Sequence, residues 1–346
     1  MRILLSADPM IPVPPKLYGG IERVISLLIQ ELHRRGHDLA LLAHPESSEP
    51  GCQRYAWPDV EMRGRFDWRF PRQLHRVVKS FRPELVHSFS RLIWLLPLLT
   101  EARLPLLMSY QREISLRNVS LAARLAGARL SFSACSSKLM SGVPDQRRWH
   151  AIPNMVDGSR YDPQYRVAAD APLVFLSRLD RIKGAHLAIA AAKAAGETLI
   201  LAGNRADSGP ERDYFEREIA PALDDRQIRW IGPVDDQQKN TLLGRAKAMI
   251  VPIQWEEPFG IVFAEALACA TPVIASPRGA LPEIIDSGVQ GFLVEGEAAL
   301  VDAIRALPTI DRHACRQRFE DRFALATVVD QYEHLYRQLI EASKHV

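Results

Sequence analysis

Short apolar segments alternate with amphipathic segments along nearly the whole chain. The apolar runs have the length of buried strands, and the segments between them repeat apolar residues every three or four positions, as helices with one buried face do. The predicted strands of the first half are residues 2–6, 39–43, 85–89, 104–109, 130–134 and 151–153. Residues 21–35 form the clearest predicted helix, which ends at Gly36. This β-α-β order predicts a parallel sheet with helices on both faces.

A polar segment at residues 157–171 interrupts this order and is interpreted as an interdomain linker. A second series of apolar runs follows it. Its predicted strands are residues 173–176, 198–202, 228–231, 248–252, 272–275 and 291–294. An amphipathic helix is predicted at residues 327–342. We therefore predict two Rossmann-like α/β domains, at residues 1–165 and 166–326, and a helical C-terminal segment at 327–346.

Two doubly wound domains have a consequence for ligand binding. Open parallel sheets bind ligands beyond the carboxyl ends of their strands, and paired domains usually bind them in the cleft between the two sheets. Residues that directly follow a predicted strand are therefore the first candidates for a functional site.

Composition supports two globular domains and excludes several classes of protein. The 346 residues are 47% apolar and 25% charged, which is typical of folded chains and not of disordered ones. The net charge of +3 is too small to predict a nucleic-acid partner. The four cysteines form no CxxC pair or zinc pattern, so we expect reduced thiols.

We expect neither an export signal nor a membrane-spanning segment. Its N-terminus reads as a strand and not as a signal peptide, so we expect a cytoplasmic protein. The longest apolar run, residues 92–99, is too short to span a bilayer and is interpreted as a buried helix.

The strongest chemical motif is EPFGIVFAE, residues 257–265, directly after a predicted strand. Its Phe-Gly pair falls where a helix begins, and backbone amides at a helix N-terminus form a ready anion site. Glu257, in the loop, can accept hydrogen bonds from sugar hydroxyls. Either glutamate alone could be a surface charge, but Glu265 interrupts an otherwise apolar helix, where a carboxylate is costly without partners. We interpret Glu265 as a hydrogen-bond acceptor for a ribose.

A second motif, SRLDRIKG at residues 177–184, follows the first predicted strand of the second half. Arg178 and Lys183 are close enough in sequence to converge on one anion. A planar guanidinium together with an ammonium suits a diphosphate. A solvated basic turn is the alternative interpretation.

Two further motifs also follow strands. In YGGIERV, residues 18–24, Gly19 and Gly20 open the first helix, and they either present amides to a phosphate or sugar or simply form a turn. This spacing is not the GxGxxG of a dinucleotide site, which disfavours a nicotinamide dehydrogenase. In SPRGALPEII, residues 276–285, Glu283 either reaches the site or stabilises the start of its own helix.

These four segments, in this order, resemble the family-4 GT-B glycosyltransferases, a retaining group that includes glycogen synthases and many bacterial lipid and polysaccharide sugar transferases. The similarity covers nearly the whole chain, and its most specific part is the glutamate pair within PFG…EALA…PVIAS. It implies the α/β GT-B fold, with two Rossmann-like domains that face a cleft and a final helix that crosses back to the N-terminal domain. It also implies retaining transfer of a hexose-type sugar from a nucleotide sugar to a glycan, lipid-linked or small-molecule acceptor.

The resemblance implies roles for the matching residues. Arg178 and Lys183 would hold the donor diphosphate. Glu265 would bind the ribose, and Glu257 would bind or orient the transferred sugar. Main-chain amides that would complete the donor site belong to Gly19, Gly20, Phe259, Gly260 and Ile261. The base would contact the backbone near Gly203; UDP is the expected nucleotide, GDP and ADP stay open, and no metal or other cofactor is expected.

The sequence departs from the family pattern at two positions. Many relatives carry a histidine after the strand that corresponds to residues 104–109, where this chain has Gln111. Glutamine can hydrogen-bond a sugar hydroxyl but cannot act as an acid or base near neutral pH. His87, in LVHSF, is a second catalytic candidate, with a hydrogen-bonded strand-end histidine as the alternative. Met155 stands where a glycine is usual, which questions the local turn geometry.

The mechanism and two rival functions follow from the same residues. No carboxylate nucleophile for a double displacement is evident in the first half. The resemblance then implies same-face attack, with the leaving phosphate helping to deprotonate the acceptor. One rival is a UDP-sugar 2-epimerase, which shares the two-domain fold but lacks this glutamate pair. The other is a catalytically impaired sugar-nucleotide binder, in which Gln111 marks lost chemistry.

A basic stretch with several aromatic residues runs from Arg63 to Arg82. Trp68 and Phe70 could lie at the interface of an anionic membrane, which would suit a lipid-linked acceptor at the inner face of the membrane. The cations that would face the lipid are Arg65, Arg69, Arg72, Arg76 and Lys79. A solvated helix face is the alternative interpretation.

Overall fold

A computed structural model describes residues 1–15, 19–59, 67–100 and 104–344. The chain forms two compact units: Met1–Met155 together with Leu325–Val346, and Val156–Ala324. Each unit contains a parallel β-sheet with helices packed against it, as the alternating pattern predicted.

The first unit is built on a parallel sheet whose seven described strands lie in the order β3-β2-β1-β4-β5-β6-β7. The strands are β1 (Arg2–Ser6), β2 (Asp38–Ala43), β3 (Gln53–Ala56), β4 (Leu85–Ser88), β5 (Leu106–Tyr110), β6 (Leu130–Ala134) and β7 (Trp149–Ala151). Its first helices are α1 (Gly20–Arg34), α2 (Arg69–Phe81) and α3 (Leu116–Ala126), and a 3-10 helix spans Leu92–Leu98. The strands predicted for this half are confirmed within about two residues. Strand β3 was missed because its sequence, QRYA, is polar and mostly exposed at the sheet edge.

The second unit contains a parallel sheet with six described strands in the order β10-β9-β8-β11-β12-β13. The strands are β8 (Leu173–Leu176), β9 (Leu199–Ala202), β10 (Ile228–Trp230), β11 (Ala248–Val251), β12 (Val273–Ala275) and β13 (Gly291–Leu293). The helices are α4 (Ala185–Ala195), α5 (Gly209–Tyr214), α6 (Asp236–Arg245), α7 (Ile261–Ala268), α8 (Leu281–Ile284), α9 (Glu297–Ala306) and α10 (Arg312–Arg322). Strands β8, β9, β11 and β12 are buried throughout or nearly so, because helices cover both faces of such a sheet.

The last helix, α11, spans Leu325–Lys344 and belongs to the first unit. Tyr332 and Tyr336, on its apolar side, are buried in that unit. Arg35, just after α1, pairs with Glu333 of this helix at 3.0 Å. The final helix that the GT-B prediction required therefore packs on the N-terminal sheet and its first helix.

The predicted linker, residues 157–171, is part of the second unit. The Val156 N–H donates to the Phe323 carbonyl at 2.9 Å, and the Arg312 Nε–H donates to the Gln164 carbonyl at 2.6 Å. These contacts tie the polar segment to α10, so the first unit ends ten residues before the predicted boundary.

Candidate functional site

Lys183 and Glu257, from two separate motifs, form an ion pair in the second unit. Lys183 Nζ lies 2.5 Å from Glu257 Oε2, and each side chain is 12% exposed. Lys183 follows β8 and Glu257 follows β11, and these two strands are neighbours in the sheet. The carboxyl ends of parallel strands lie at the same edge, so the fold brings the two predicted donor residues into contact.

Two glycines allow the backbone around this pair to pack closely. At Gly184, with φ +79°, a Cβ atom would lie 2.1 Å from the Pro252 carbonyl oxygen. At Gly279, with φ +58°, it would lie 2.2 Å from the Glu257 carbonyl oxygen. Both positions combine a left-handed backbone with no room for a side chain, so a larger residue would push apart the loops that carry the ion pair.

Trp255 contacts both members of the ion pair and was not predicted from the sequence. Its indole Nε1–H donates to Glu257 Oε2 at 3.0 Å, and its ring centroid lies 4.7 Å from Lys183 Nζ. The lysine therefore faces both a carboxylate and the negative face of an aromatic ring. The sequence did contain a signal, because Trp255 lies in a loop after a strand, two residues before Glu257.

Glu265 is buried on α7 and has partners, as the cost of an isolated carboxylate requires. Its Oε1 accepts from the Tyr161 hydroxyl at 2.8 Å and from Lys239 Nζ at 2.5 Å. Burial and the nearby carboxylate raise the pKa of Tyr161, so its hydroxyl stays a proton donor. Both partners were missed: Tyr161 lay in the presumed linker, and Lys239 lay in a polar run that gave no sign of burial.

The N-terminus of α7 has the geometry expected of an anion site. Gly260, in the left-handed conformation, precedes the helix, which begins at Ile261. The Phe259 side chain is buried and packs edge-on against Phe323, so only its main chain could meet a ligand. These backbone roles remain predictions.

Arg178 and Gly203 lie outside the Lys183–Glu257 pair. Arg178 is 51% exposed and pairs with Asp180 at 2.8 Å. The Gly203 N–H donates to the Gly232 carbonyl at 2.8 Å, and its own carbonyl accepts from Trp230 Nε1 at 3.1 Å. The main chain of Gly203 is thus already engaged within the second unit.

In the first unit, Gly19 and Gly20 open helix α1 as predicted from the sequence. Next to them, Glu22 is a buried carboxyl that was not singled out. Burial, and to a smaller degree the charge of Asp8, raises the pKa of Glu22. This carboxyl therefore holds its proton more readily than an exposed glutamate does.

The structure does not support the catalytic role predicted for His87, because this residue lies in the core of the first unit. It has no exposed surface, its Nδ1 lies 2.6 Å from the Tyr336 hydroxyl, and its Nε2 lies 2.6 Å from Ser109 Oγ. Burial lowers the pKa of His87 to about 3, so the ring is neutral. Gln111 directly follows β5 and is half-buried, so its catalytic role stays a prediction.

The basic stretch is only partly the surface that the sequence suggested. Residues 63–66 lie outside the described residues. The predicted position of Phe70 at a membrane interface is wrong, because Phe70 is buried and stacks on Trp94 with ring centroids 4.7 Å apart. Trp68, in contrast, is 52% exposed. None of the described helices is long and apolar enough to cross a bilayer.

Three further expectations concern the cysteines, a metal site and Met155. The cysteines are free thiols, and burial together with Glu265 raises the pKa of Cys269 to about 12. Within the described ranges, no cluster of three or more histidine, cysteine or acidic side chains is placed to hold a metal ion. Met155, at the position of a usual glycine, is buried and has no positive φ, so the turn needs no glycine there.

Comparisons with known proteins match both units. A family model described as Glycosyltransferase Family 4 matches residues 18–160, and one described as Glycosyl transferases group 1 matches residues 165–321. The alpha-maltose-1-phosphate synthase of Mycobacterium tuberculosis is 33% identical over 184 residues, which cover 48% of this chain and 47% of that protein. The match thus spans about half the length of this curated relative.

Two longer matches cover nearly the whole chain. The glycogen synthase of Mycobacterium tuberculosis is 26% identical over 403 aligned positions, which cover 97% of this chain and 94% of that protein. The crystal structure of AviGT4, a glycosyltransferase involved in avilamycin A biosynthesis, is 25% identical, with a TM-score of 0.73 and 98% of each chain covered.

Proposed function

Because the chain belongs to the family-4 GT-B glycosyltransferases, we propose that it transfers a hexose-type sugar from a nucleotide-sugar donor to an acceptor hydroxyl. The donor is a UDP-sugar, and the configuration at the anomeric carbon is retained. The acceptor is a glycan, a lipid-linked molecule or a small molecule.

The Lys183–Glu257 ion pair is the observation that supports this function most directly. A largely buried ammonium suits the donor diphosphate, and a carboxylate beside it suits the hydroxyls of a sugar joined to that diphosphate. Glu265, eight residues further along the same segment, supplies a carboxylate for the ribose. These are the groups that binding of one nucleotide sugar requires.

Donor binding changes the partner of Lys183 in this proposal. The diphosphate competes for the ammonium, because Lys183 can donate to phosphate oxygens as well as to the carboxylate. Glu257, still held by the indole of Trp255, is then open to sugar hydroxyls. Lys183, Arg178 and the amides at the start of α7 stabilise the negative charge that builds on the leaving diphosphate, without a metal.

Retention follows from attack on the face that the phosphate leaves. The bond from the anomeric carbon to the phosphate oxygen breaks, and the acceptor oxygen bonds to the same carbon. The acceptor proton passes to the leaving phosphate. NMR of the product anomer tests this step, and an inverted product contradicts it.

The decisive experiment uses purified protein with UDP-, GDP- and ADP-sugars. We expect one nucleoside diphosphate to raise the melting temperature of the protein. We also expect slow release of that nucleoside diphosphate from its sugar when no acceptor is present. A protein that binds a nucleotide but never hydrolyses or transfers the sugar is the impaired binder. Reversible inversion at C2 of the donor sugar identifies the epimerase. Activity should persist in EDTA.

We also propose a cytoplasmic protein with peripheral contact to an anionic membrane through the outer face of α2. The exposed Trp68 and the exposed cations Arg72, Arg76 and Lys79 support this contact, whereas the buried Phe70 does not contribute to it. Co-sedimentation with liposomes, with and without anionic lipid, tests the proposal. Absence of binding to both kinds of liposome removes it.

A further inference from the structure

The carboxylate of Glu265 is held at one oxygen and open at the other. Oε1 accepts both the Tyr161 hydroxyl, at 2.8 Å, and Lys239 Nζ, at 2.5 Å. Oε2 accepts no hydrogen bond from the described residues, and the side chain keeps 8% of its surface exposed. A carboxylate oxygen can accept further hydrogen bonds, so Oε2 is available to donors from a ligand.

Three separate elements produce this arrangement. Glu265 lies on α7, Lys239 lies on the first turns of α6, and Tyr161 precedes β8. The ammonium also lies 5.6 Å from the centroid of the Tyr161 ring, which adds a cation–π contact. Two donors that approach one oxygen from different elements fix the plane of the carboxylate, and they direct the second oxygen away from both.

The lysine also controls the charge of the site. Lys239 and Glu265 are 13% and 8% exposed, so their charges are weakly screened by water. Asp236, 3.2 Å from Lys239, adds a second negative charge nearby, with Arg160 at 3.8 Å from it. Without the ammonium, the region that is proposed to receive a nucleoside diphosphate would carry uncompensated negative charge.

We propose that Lys239 and Tyr161 are positioning residues that present Oε2 of Glu265 to the ribose hydroxyls of the donor, and so set the preference for ribonucleotides over deoxyribonucleotides. This inference rests on the proposed function, because it requires a nucleotide in the second unit. It adds Lys239 and Tyr161 to the site and assigns to them together a preference for ribonucleotides over deoxyribonucleotides.

Calorimetric titration of the full chain with UDP, GDP and ADP identifies the nucleotide to use. That nucleotide is then titrated against Lys239→Gln, Lys239→Arg and Tyr161→Phe. Loss of one charge-assisted hydrogen bond corresponds to about a tenfold rise in Kd, which we expect for Lys239→Gln, with a smaller rise for Tyr161→Phe. Lys239→Arg should recover most of the affinity because it restores the positive charge.

The matched control is Lys247→Gln. Lys247 pairs with Glu197 at 2.6 Å and lies in the same unit, with side chains 22% and 26% exposed, so its loss removes a partly buried lysine–glutamate pair away from the site. The control should leave Kd unchanged, whatever its effect on the melting temperature. A general loss of stability cannot produce that difference.

The 2′-deoxy and 3′-deoxy forms of the same nucleotide measure selectivity. The wild-type protein should bind at least one of them about tenfold more weakly than the ribonucleotide, and Lys239→Gln should reduce this discrimination to less than about threefold. If Lys239→Gln and Tyr161→Phe both keep wild-type affinity and discrimination, the positioning role is wrong although the proposed function stands. If the wild-type protein binds none of the three nucleotides, the proposed function itself fails.

Discussion

The two glutamates of the EPFGIVFAE motif each pair with a lysine, but different structures hold the two pairs. Lys183–Glu257 joins two loops that follow neighbouring strands, and Trp255 contacts both partners. Lys239–Glu265 joins two helices, and Tyr161 donates to the same carboxylate oxygen as Lys239. In both pairs the two donors meet at one oxygen of the glutamate. We infer that the loop pair exchanges partners when a donor binds, whereas the helix pair persists and keeps its carboxylate oriented.

The largest effect should come from Lys183→Ala. Removal of a cation that stabilises the leaving diphosphate should lower kcat by about 100-fold or more. The matched control is Lys193→Ala, which changes an exposed lysine on α4 and should leave the rate unchanged. The measurement is the rate of diphosphate release from the donor sugar; a variant within twofold of wild type contradicts the donor-site assignment.

The sharpest test of the comparison sets Glu257→Gln against Glu265→Gln. Glu257→Gln frees Lys183 from its carboxylate, so the Kd for the nucleoside diphosphate should stay equal or fall while kcat drops. Glu265→Gln replaces the carboxylate proposed to accept from the ribose with a neutral amide and leaves Lys239 paired with Asp236, so Kd should rise about tenfold. Calorimetry measures the Kd of both variants for the nucleoside diphosphate. Changes of Kd in the same direction would mean that the two pairs have the same role.

A smaller effect is expected for Trp255→Phe. The phenyl ring keeps an aromatic face for Lys183 but cannot donate to Glu257, so one hydrogen bond to a charged group is lost. We expect kcat to fall about threefold to tenfold with little change in the KM of the donor. Steady-state kinetics gives kcat and KM. Because a loss of folded protein would also lower the apparent kcat without altering KM, circular dichroism and the melting temperature of the variant must show that it is folded.

The smallest effect on activity is expected at His87, whose importance lies in stability. Its pKa is about 3 in the folded protein and about 6.5 in an unfolded chain. Below about pH 6.5 the unfolded chain therefore binds a proton that the folded protein does not, so stability falls as the pH falls, by up to about 1.4 kcal/mol per pH unit. This loss continues down to about pH 3.

His87→Gln should weaken that pH dependence and keep near wild-type activity at neutral pH. Urea unfolding at pH 7.5 and 5.5 measures the change, and the wild-type protein should lose more free energy of unfolding between these conditions than the variant. Equal losses would show that other groups control acid stability. A large loss of kcat at neutral pH would return His87 to the list of catalytic candidates.

The strands and helices were predictable because long apolar runs and helical spacing record burial directly. β8 and β11 were found in this way, and so was the motif that follows each of them. The segment at 157–171 was misread because polar composition indicates a loop equally well when that loop is fastened to a helix. Hydrogen bonds such as Arg312 to Gln164 have no local sequence signature.

Side-chain burial within an element was the least predictable property. Phe70 and Trp68 are two residues apart in a basic stretch, yet one stacks in the core and the other is exposed. His87 is a polar residue at a strand end, but α11, from the far end of the chain, covers it and supplies Tyr336 as its partner. Such outcomes depend on elements that are distant in sequence.

The sequence by itself determined the two Rossmann-like units and the chemical types gathered after their strands, because hydrophobic periodicity and loop motifs are local properties. Only the tertiary structure decided which charges meet. Lys183 and Glu257 are 74 positions apart, and Tyr161 and Glu265 are 104 apart. The sheet order brings them together, and the burial that follows makes each contact strong enough to orient a side chain.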